Sequence, residues 1–399
     1  MLNDKKISDA FDHQENLDVI DALRGYAILL VIAVHSTPYI QELVWPAKRV
    51  LLMGVYGVQL FFLASALTLL MSWKRSKDPL NVRATKFFVR RFFRIAPLYY
   101  AAIIFYWFVG IKETGEFSMK VLSATLLFYN AWSPYLIPTV PGWMPVPGGW
   151  SISVEFCFYL IFPLLAIIVT SLQRSIIFFF MALVILIAVQ IVGASLYPEI
   201  SLEARSNFLY FWPLNHLVIF SLGFVLYYCV KSETVSKMIS DFNITANAST
   251  LGLLGMIFLL SFYGQRKFFD WSLGLPPTHL LISIAFLFWA LILLIRPSSI
   301  VVNRIIVEVG KVSFSAYVLH FAMLKFVSSI LVDLWPLPRV GIFSIPYAAV
   351  LIFISVFVTW YISSKTYKYI ERPFVLLGKT LIDITAGRHL RWPSKAKLF

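Results

Sequence analysis

Residues 176–192 read IIFFFMALVILIAVQIV, an apolar run interrupted by a single glutamine. As a helix rising ~1.5 Å per residue, this run nearly spans the ~30 Å hydrocarbon core of a bilayer. Two further runs have the same character, FFLASALTLLMSW at 61–73 and YAAVLIFISVFVTWYI at 347–362. These runs predict an all-α, polytopic membrane protein rather than a soluble domain.

The composition supports the same fold class. Of the 399 residues, 59% are hydrophobic and only 14% are charged, and the mean hydropathy is +0.79. Soluble domains carry nearer ~25% charged residues. The first twenty residues are polar and no small-residue cleavage site follows the first apolar run, so we expect no cleavable signal peptide. Cys157 and Cys229 both lie in apolar runs, which argues against a disulfide framework.

The net charge of +14 is distributed as in a protein of the bacterial inner (cytoplasmic) membrane. Basic residues cluster in four places, which are 73–93, 231–240, 296–311 and the tail after 365. An excess of Lys and Arg in alternate loops is the positive-inside pattern. The charge therefore predicts a multi-pass orientation, and we expect no nucleic-acid partner.

Hydropathy predicts about ten transmembrane helices, near 24–42, 51–72, 95–112, 150–171, 174–195, 212–231, 249–265, 279–296, 313–333 and 343–365. The basic loop after the second span and the basic tail both belong in the cytoplasm only if the apolar stretch 119–132 does not cross. We therefore expect that stretch to be re-entrant or interfacial on the outer side, with both termini cytoplasmic.

The domain organisation follows from these spans. We expect a cytoplasmic N-terminal segment at 1–20, one membrane domain at 21–374 and a cytoplasmic tail at 375–399. The largest outer segment, 113–149, contains prolines and glycines that disfavour regular helix. Its tryptophans fit either an aromatic belt at the interface or a stacking surface for sugar rings.

The first span, DALRGYAILLVIAVHSTPYI at 21–40, carries two costly polar groups. Arg24 and His35 are eleven residues apart, which puts them on one helix face and ~16 Å apart along the axis. With Arg24 at the cytoplasmic boundary, His35 lies about halfway across the membrane. The alternatives are a snorkelling anchor for Arg24 and an interhelical hydrogen bond for His35.

A second polar cluster lies in GGWSISVEFCFYLIFPLL, residues 148–165. Ser151, Glu155 and Tyr159 are spaced i, i+4 and i+8 on one face, and with Ser153 they are candidates for lining a cavity. Glu155 and His35 are predicted at similar depth, where a carboxylate could orient a basic imidazole. The alternative is a buried Glu155 bonded to backbone or tyrosine groups.

Arginines also gather where the third span begins, in KFFVRRFFRIAPLYY. Arg91 and Arg94 are neighbours on the helix surface and, with Arg24, could bind the phosphates of a ligand from the cytosol. The positive-inside rule accounts for Arg83 and Lys86.

The ninth span adds Tyr317 and His320, which either line the same cavity or bond a neighbouring helix. His216 is a weaker candidate towards the outer side. His13, His279 and His389 are expected to be solvated in loops or tails. The sequence suggests no metal site.

Five segments together resemble the acyltransferase-3 family of membrane O-acyltransferases. They are LRGYAILLVIAVH, RRFFRIAPLYY, WSISVEFCFYLIFP, SFSAYVLH and YIERPF, which occur in the family's order between about residues 18 and 374. The series combines an Arg-x10-His spacing, an Arg-x2-Arg pair and a Trp-Ser-x-x-x-Glu stretch. WSI replaces the WSL of many members.

The resemblance implies transfer of an acyl group, usually acetyl from cytosolic acetyl-CoA, to a glycan or glycolipid hydroxyl across the membrane. Arg24, Arg91 and Arg94 would then bind CoA phosphates. His35 would act as a general base or as a transient acyl carrier, and Glu155 would orient or polarise it.

Two other function classes remain open on the sequence alone. A transporter or flippase for an anionic or lipid-linked substrate could use the same intramembrane polar residues. Against it, the sequence has no inverted repeat. A scaffold without chemistry would leave those residues unexplained.

Overall fold

The computed structural model describes residues 14–110, 117–136, 144–193, 195–264 and 276–385. Apart from one pair of two-residue strands, the regular structure of these residues is helical. The α-helices are α1 Gln14–Ser36, α2 Trp45–Leu52, α3 Gly57–Arg75, α4 Leu80–Val109, α5 Met119–Leu126, α6 Trp150–Ile168, α7 Leu172–Gly193, α8 Leu202–Phe211, α9 Pro213–Val230, α10 Glu233–Asp241, α11 Ala246–Tyr263, α12 Thr278–Ile295, α13 Arg304–Lys311, α14 Ser313–Leu334, α15 Ser344–Thr366 and α16 Arg372–Thr385.

Within the described residues, nine helical segments are long and apolar enough to cross a membrane. They are Trp45–Arg75, Leu80–Val109, Trp150–Ile168, Leu172–Gly193, Leu202–Val230, Ala246–Tyr263, Thr278–Ile295, Ser313–Leu334 and Ser344–Ile384. Nine of the ten predicted spans overlap them. The other, 24–42, overlaps α1, a 23-residue helix that these nine do not include. The all-α, polytopic class is therefore supported, while the count of ten and the side of the termini stay predictions.

Two helices depart from the predicted bounds in ways that matter for the site. Helix α4 begins fifteen residues before the predicted span 95–112, so its arginines are part of the helix. Helix α15 runs through a π-helical turn, Tyr367–Glu371, into α16. The predicted start of the tail at 375 therefore lies inside a helix, and α16 packs against α4.

The stretch 119–132 forms only the eight-residue α5 and a short 3-10 turn. Eight residues rise ~12 Å, far less than a ~30 Å core, so this stretch is too short to cross. The strands, β1 Glu42–Leu43 and β2 Val340–Gly341, pair in parallel and join the segments that follow α1 and precede α15.

Helix α1 lies at the centre of the bundle, against α3, α12, α13, α14 and α15. Small residues allow close approach there. A Cβ added at Gly57 of α3 would lie 2.4 Å from the Ala27 carbonyl oxygen of α1. Helices in a bilayer associate through such close backbone contacts, since burial of apolar surface gives little drive between them.

The outward faces of the helices are apolar, as lipid contact requires. Exposed large side chains include Leu160 and Leu164 of α6, Met181 of α7 and Phe353 of α15. Most polar side chains of the spans are buried instead, among them Gln59, Ser313 and His320. The polar groups that need an explanation therefore face the interior of the bundle.

Candidate functional site

A cavity with about 650 Å³ of empty space lies between five helices, α1, α3, α4, α6 and α14. Seven of the residues singled out from the sequence line it, which are Arg24, Arg91, Arg94, Ser151, Glu155, Tyr159 and Tyr317. The predicted face of α6, with its i, i+4, i+8 spacing, therefore points into this cavity. His35, Ser153 and His320 are not among its lining residues.

The three arginines form one wall of the cavity. Arg24 donates to the Thr68 hydroxyl of α3 at 3.0 Å, and its guanidinium lies 3.6 Å from the Asp21 carboxylate one turn earlier. Arg91 and Arg94 are half-buried and line the same cavity as Tyr159 and Glu155. Arginines from two helices thus converge on one space, where their N–H groups could bind phosphate oxygens.

Glu155 is the acidic residue on this wall. Its Oε1 accepts hydrogen bonds from Ser65 of α3 and Tyr159 of its own helix, both at 2.5 Å. No hydrogen bond joins Glu155 to His35 within the described residues. The predicted contact between carboxylate and imidazole is not found, and the alternative of a glutamate bonded to a tyrosine describes the geometry.

Tyr317 closes one end of the cavity. Its hydroxyl lies 2.6 Å from Ser151 Oγ and donates to the Gly148 carbonyl oxygen at 3.1 Å. The Tyr317 ring lies 5.6 Å from the ring of His320, one turn further along α14. Tyr317 therefore stands between the cavity and the histidines.

His35 and His320 form a pair between α1 and α14. His320 Nε2 lies 3.2 Å from His35 Nδ1. His35 Nδ1 also lies 2.9 Å from the Val31 carbonyl oxygen, and His320 Nδ1 lies 2.6 Å from that of Tyr317. The ring of Phe321 packs on both imidazoles, at 4.4 Å and 4.2 Å.

These contacts determine where the protons of the neutral pair lie. A carbonyl oxygen can only accept, so Nδ1 is the protonated nitrogen of each ring. The single Nδ1–H of His35 is then shared between the Val31 carbonyl oxygen and His320 Nε2, with the carbonyl oxygen the nearer acceptor. His35 Nε2 keeps its lone pair and forms no hydrogen bond to the described residues. His35 is half-buried and His320 fully buried, so His35 is the member of the pair that a substrate could reach.

Several polar residues of the site were not anticipated. Ser65 and Thr68 lie one turn apart on α3 and bond Glu155 and Arg24. They are small hydroxyl residues within an apolar run, where the sequence alone does not single them out. Glu371, in the YIERPF segment, is 1% exposed on the π-helical turn. Its Oε2 accepts from Ser315 at 3.0 Å, and it interacts with Arg94 and Arg24. Such π-turns often occur at functional sites.

Ser153 and His279 lie away from the cavity. Ser153 is buried, donates to the Phe128 carbonyl oxygen at 2.7 Å and accepts from the Ala131 amide at 3.3 Å, so it holds the outer segment. The expectation that His279 is solvated is wrong. His279 is 0% exposed and packs on Tyr210 and His216, because α12 begins at Thr278 and draws it into the bundle. His13, His389 and residues 137–143 lie outside the described residues.

No group of three or more His, Cys, Asp or Glu side chains among the described residues is arranged to hold a metal ion. The polar groups of the cavity and of the adjacent histidine pair are therefore arginines, hydroxyl groups, a carboxylate and two imidazoles.

The chain is similar in sequence to known acyltransferases. The family model described as an acyltransferase domain, acyltransferase-3, matches residues 17–364. A putative O-acetyltransferase of Staphylococcus aureus strain COL is 27% identical over 382 residues, covering 89% of this chain and 56% of the relative. A putative O-acetyltransferase of strain N315 matches to the same extent. The chain thus spans about half the length of these curated relatives.

A second kind of relative covers less of the chain. Acyltransferase MdmB of Streptomyces mycarofaciens is 32% identical over 157 residues, which is 37% of this chain and 38% of the relative. No solved structure matches the chain.

Proposed function

Because the chain belongs to the acyltransferase-3 family, we propose that it is an O-acyltransferase. It transfers an acyl group, acetyl in the first instance, from cytosolic acyl-CoA to a hydroxyl of a glycan or glycolipid on the outer side of the membrane. The membrane is the cytoplasmic membrane of a bacterium. The observation that carries this proposal is the cavity in which Arg24, Arg91 and Arg94 meet.

The arginine wall binds the phosphates of the donor. Arginine pairs with phosphate oxygens through two parallel N–H groups, which gives both affinity and orientation. The helix face leading from Arg24 to His35 covers ~16 Å along α1. The extended pantetheine arm follows this face, so that the thioester reaches the histidine pair while the phosphates stay at the arginines.

His35 is the general base. Its Nε2 lone pair takes the proton of the acceptor hydroxyl as the hydroxyl oxygen attacks the thioester carbonyl carbon. The carbon–sulfur bond breaks, and the imidazolium returns the proton to the departing thiolate, which leaves as CoA. Atoms and charge balance without a further reactant, and the two products are the ester and free CoA.

His320 is a positioning residue for His35. Its Nε2 shares the Nδ1–H of His35 with the Val31 carbonyl oxygen, so it orients the ring, and it favours the imidazolium that forms during transfer. This is the role that the sequence suggested for Glu155. We assign Glu155 instead to the cavity wall, where its carboxylate balances the arginines and holds Tyr159 in place.

The test is transfer of label. Purified full-length protein in proteoliposomes is incubated with acetyl-CoA carrying a radiolabelled acetyl group and with candidate glycans. We expect label to appear on the glycan together with free CoA. Unmodified glycan or glycolipid crossing the liposome membrane without acylation would contradict the proposal and indicate a transporter.

A further inference from the structure

A second cavity, with about 320 Å³ of empty space, adjoins the first along α4. Arg91 lines both cavities. The walls of the second include Trp73, Arg83, Lys86, Phe87, Arg90 and Arg91. The shared arginine makes the two cavities neighbouring parts of one cationic surface.

The second cavity has more positive charge than its acidic neighbours balance. Lys86 Nζ pairs with the Asp78 carboxylate at 2.7 Å. Arg83 donates to the Asp78 carbonyl oxygen at 2.9 Å and lies over the Trp73 ring at 5.4 Å. Within the described part of the chain, no carboxylate forms an ion pair with Arg83 or Arg90.

Two guanidinium N–H groups of this surface are buried without a partner. They are the Nε groups of Arg83 and Arg91. A buried donor without an acceptor costs free energy, because it has lost its hydrogen bonds to water and has formed none within the protein. The positive-inside rule explains why basic residues lie at this end of α4, but it does not explain why these donors are buried beside a cavity.

The helix spacing orders the charges. Arg83, Lys86 and Arg90 are spaced i, i+3 and i+7 and share one face of α4. Arg94, in the first cavity, follows Arg90 by four residues, or ~6 Å. Cationic side chains therefore lie on both sides of Arg91 along α4: Arg83, Lys86 and Arg90 before it, and Arg94 after it.

Coenzyme A carries two separate anionic groups, which correspond to the two neighbouring cationic cavities. Its ribose carries a diphosphate at one position and a separate phosphate monoester at another, so its anionic groups diverge from one sugar. The monoester carries about −1.5 to −2 charges at neutral pH. Resting on the proposed function, we propose that the second cavity binds the 3′-phosphate of the adenosine end of acyl-CoA, while Arg24, Arg91 and Arg94 bind the diphosphate.

The test compares two donors that differ only in this phosphate. Binding of acetyl-CoA and of 3′-dephospho-acetyl-CoA is measured on full-length protein in nanodiscs by equilibrium titration. The proteins are wild type, Arg83→Gln, Arg90→Gln and, as a control, Lys77→Gln. Lys77 is an exposed cation in the loop before α4 and does not line the cavity.

We expect wild type and Lys77→Gln to bind acetyl-CoA about tenfold or more tightly than the dephospho form, as one charged hydrogen bond provides. Arg83→Gln and Arg90→Gln should lose most of this preference and keep the wild-type affinity for the dephospho form. That unchanged affinity also reports that the variants are folded.

Two results would overturn the inference without touching the proposed function. One is equal binding of both donors by wild type. The other is a preference for acetyl-CoA that survives both substitutions, since the 3′-phosphate would then be bound outside the second cavity. Failure of wild type to bind either donor would instead contradict the proposed function.

Discussion

His320 Nε2 of α14 lies 3.2 Å from His35 Nδ1 of α1, and the backbone carbonyls of Val31 and Tyr317 hold both rings in the tautomer protonated at Nδ1. The arrangement leaves one unprotonated nitrogen, His35 Nε2, on the more accessible ring. An acyltransferase needs a base of this kind in a site that otherwise contains arginines and hydroxyl groups.

Replacement of His320 should affect the chemical step and not donor binding. His320→Ala removes the side-chain acceptor of His35 Nδ1–H and leaves only the Val31 carbonyl oxygen, so we expect kcat to fall by about 10–100-fold with an unchanged KM for acyl-CoA. His320→Gln offers a side-chain oxygen as a replacement acceptor and should recover part of the loss. Steady-state kinetics would contradict the role if KM rose in both variants, or if the glutamine were no better than the alanine.

Replacement of Arg94 should have the opposite kinetic effect. Arg94→Gln removes phosphate contacts worth about 1.5–3 kcal/mol, so KM for acyl-CoA should rise about 10–100-fold with little change in kcat. Arg94→Lys keeps the charge but loses the bidentate geometry and should lie between the two.

The matched control for Arg94 is Arg304→Gln, on the exposed side of α13 and outside the cavity. Initial rates across a range of acyl-CoA concentrations separate the variants. Equal KM values for Arg94→Gln and Arg304→Gln would exclude Arg94 from donor binding.

Removal of the Glu155 charge should make the protein depend on its donor for stability. In Glu155→Gln the arginine wall loses its balancing carboxylate, so the thermal unfolding midpoint should fall in the absence of acyl-CoA. The donor's phosphates restore negative charge, so acyl-CoA should raise the midpoint more in the variant than in wild type.

Thermal unfolding followed by tryptophan fluorescence, with and without acyl-CoA, measures both midpoints. Glu233→Gln, an exposed change on α10, is the control. The same ligand-induced increase in Glu155→Gln and wild type would show that Glu155 does not balance the donor-binding arginines.

The contact between α1 and α13 provides a prediction about the fold. A Cβ at Gly310 would lie 1.7 Å from the Asp21 carbonyl oxygen. We expect Gly310→Ala to force the two helices apart and to cost about 1–3 kcal/mol of stability. Gly252→Ala, with nothing within 4 Å of its added Cβ, should be neutral or slightly stabilising. Equal unfolding midpoints for the two variants would contradict this packing.

The comparison of sequence and structure shows what helical periodicity can and cannot predict. The spacing of Ser151, Glu155 and Tyr159 correctly predicted a shared face, because periodicity along one helix follows from backbone geometry. The convergence of Arg24 with Arg91 and Arg94 was also foreseen, since all three were expected at the same end of their helices.

The pairing of His35 with Glu155 was not found, and the reason is geometric. Rise per residue gives the depth of a side chain in the membrane, but it does not give the direction in which the helix turns it. Helix α1 turns His35 towards α14, and α6 turns Glu155 towards α3. His279 is buried although it is the first residue of the predicted span 279–296, because α12 begins at Thr278 and its first turn packs inside the bundle.

The most direct test of His35 as the general base is the rate of acetyl transfer by His35→Ala, measured with labelled acetyl-CoA and an acceptor glycan on properly inserted protein. We predict a fall of about 10²–10⁴-fold with acetyl-CoA binding retained, since the base is lost and the arginine wall is intact. Transfer at the wild-type rate by a folded His35→Ala protein would contradict it.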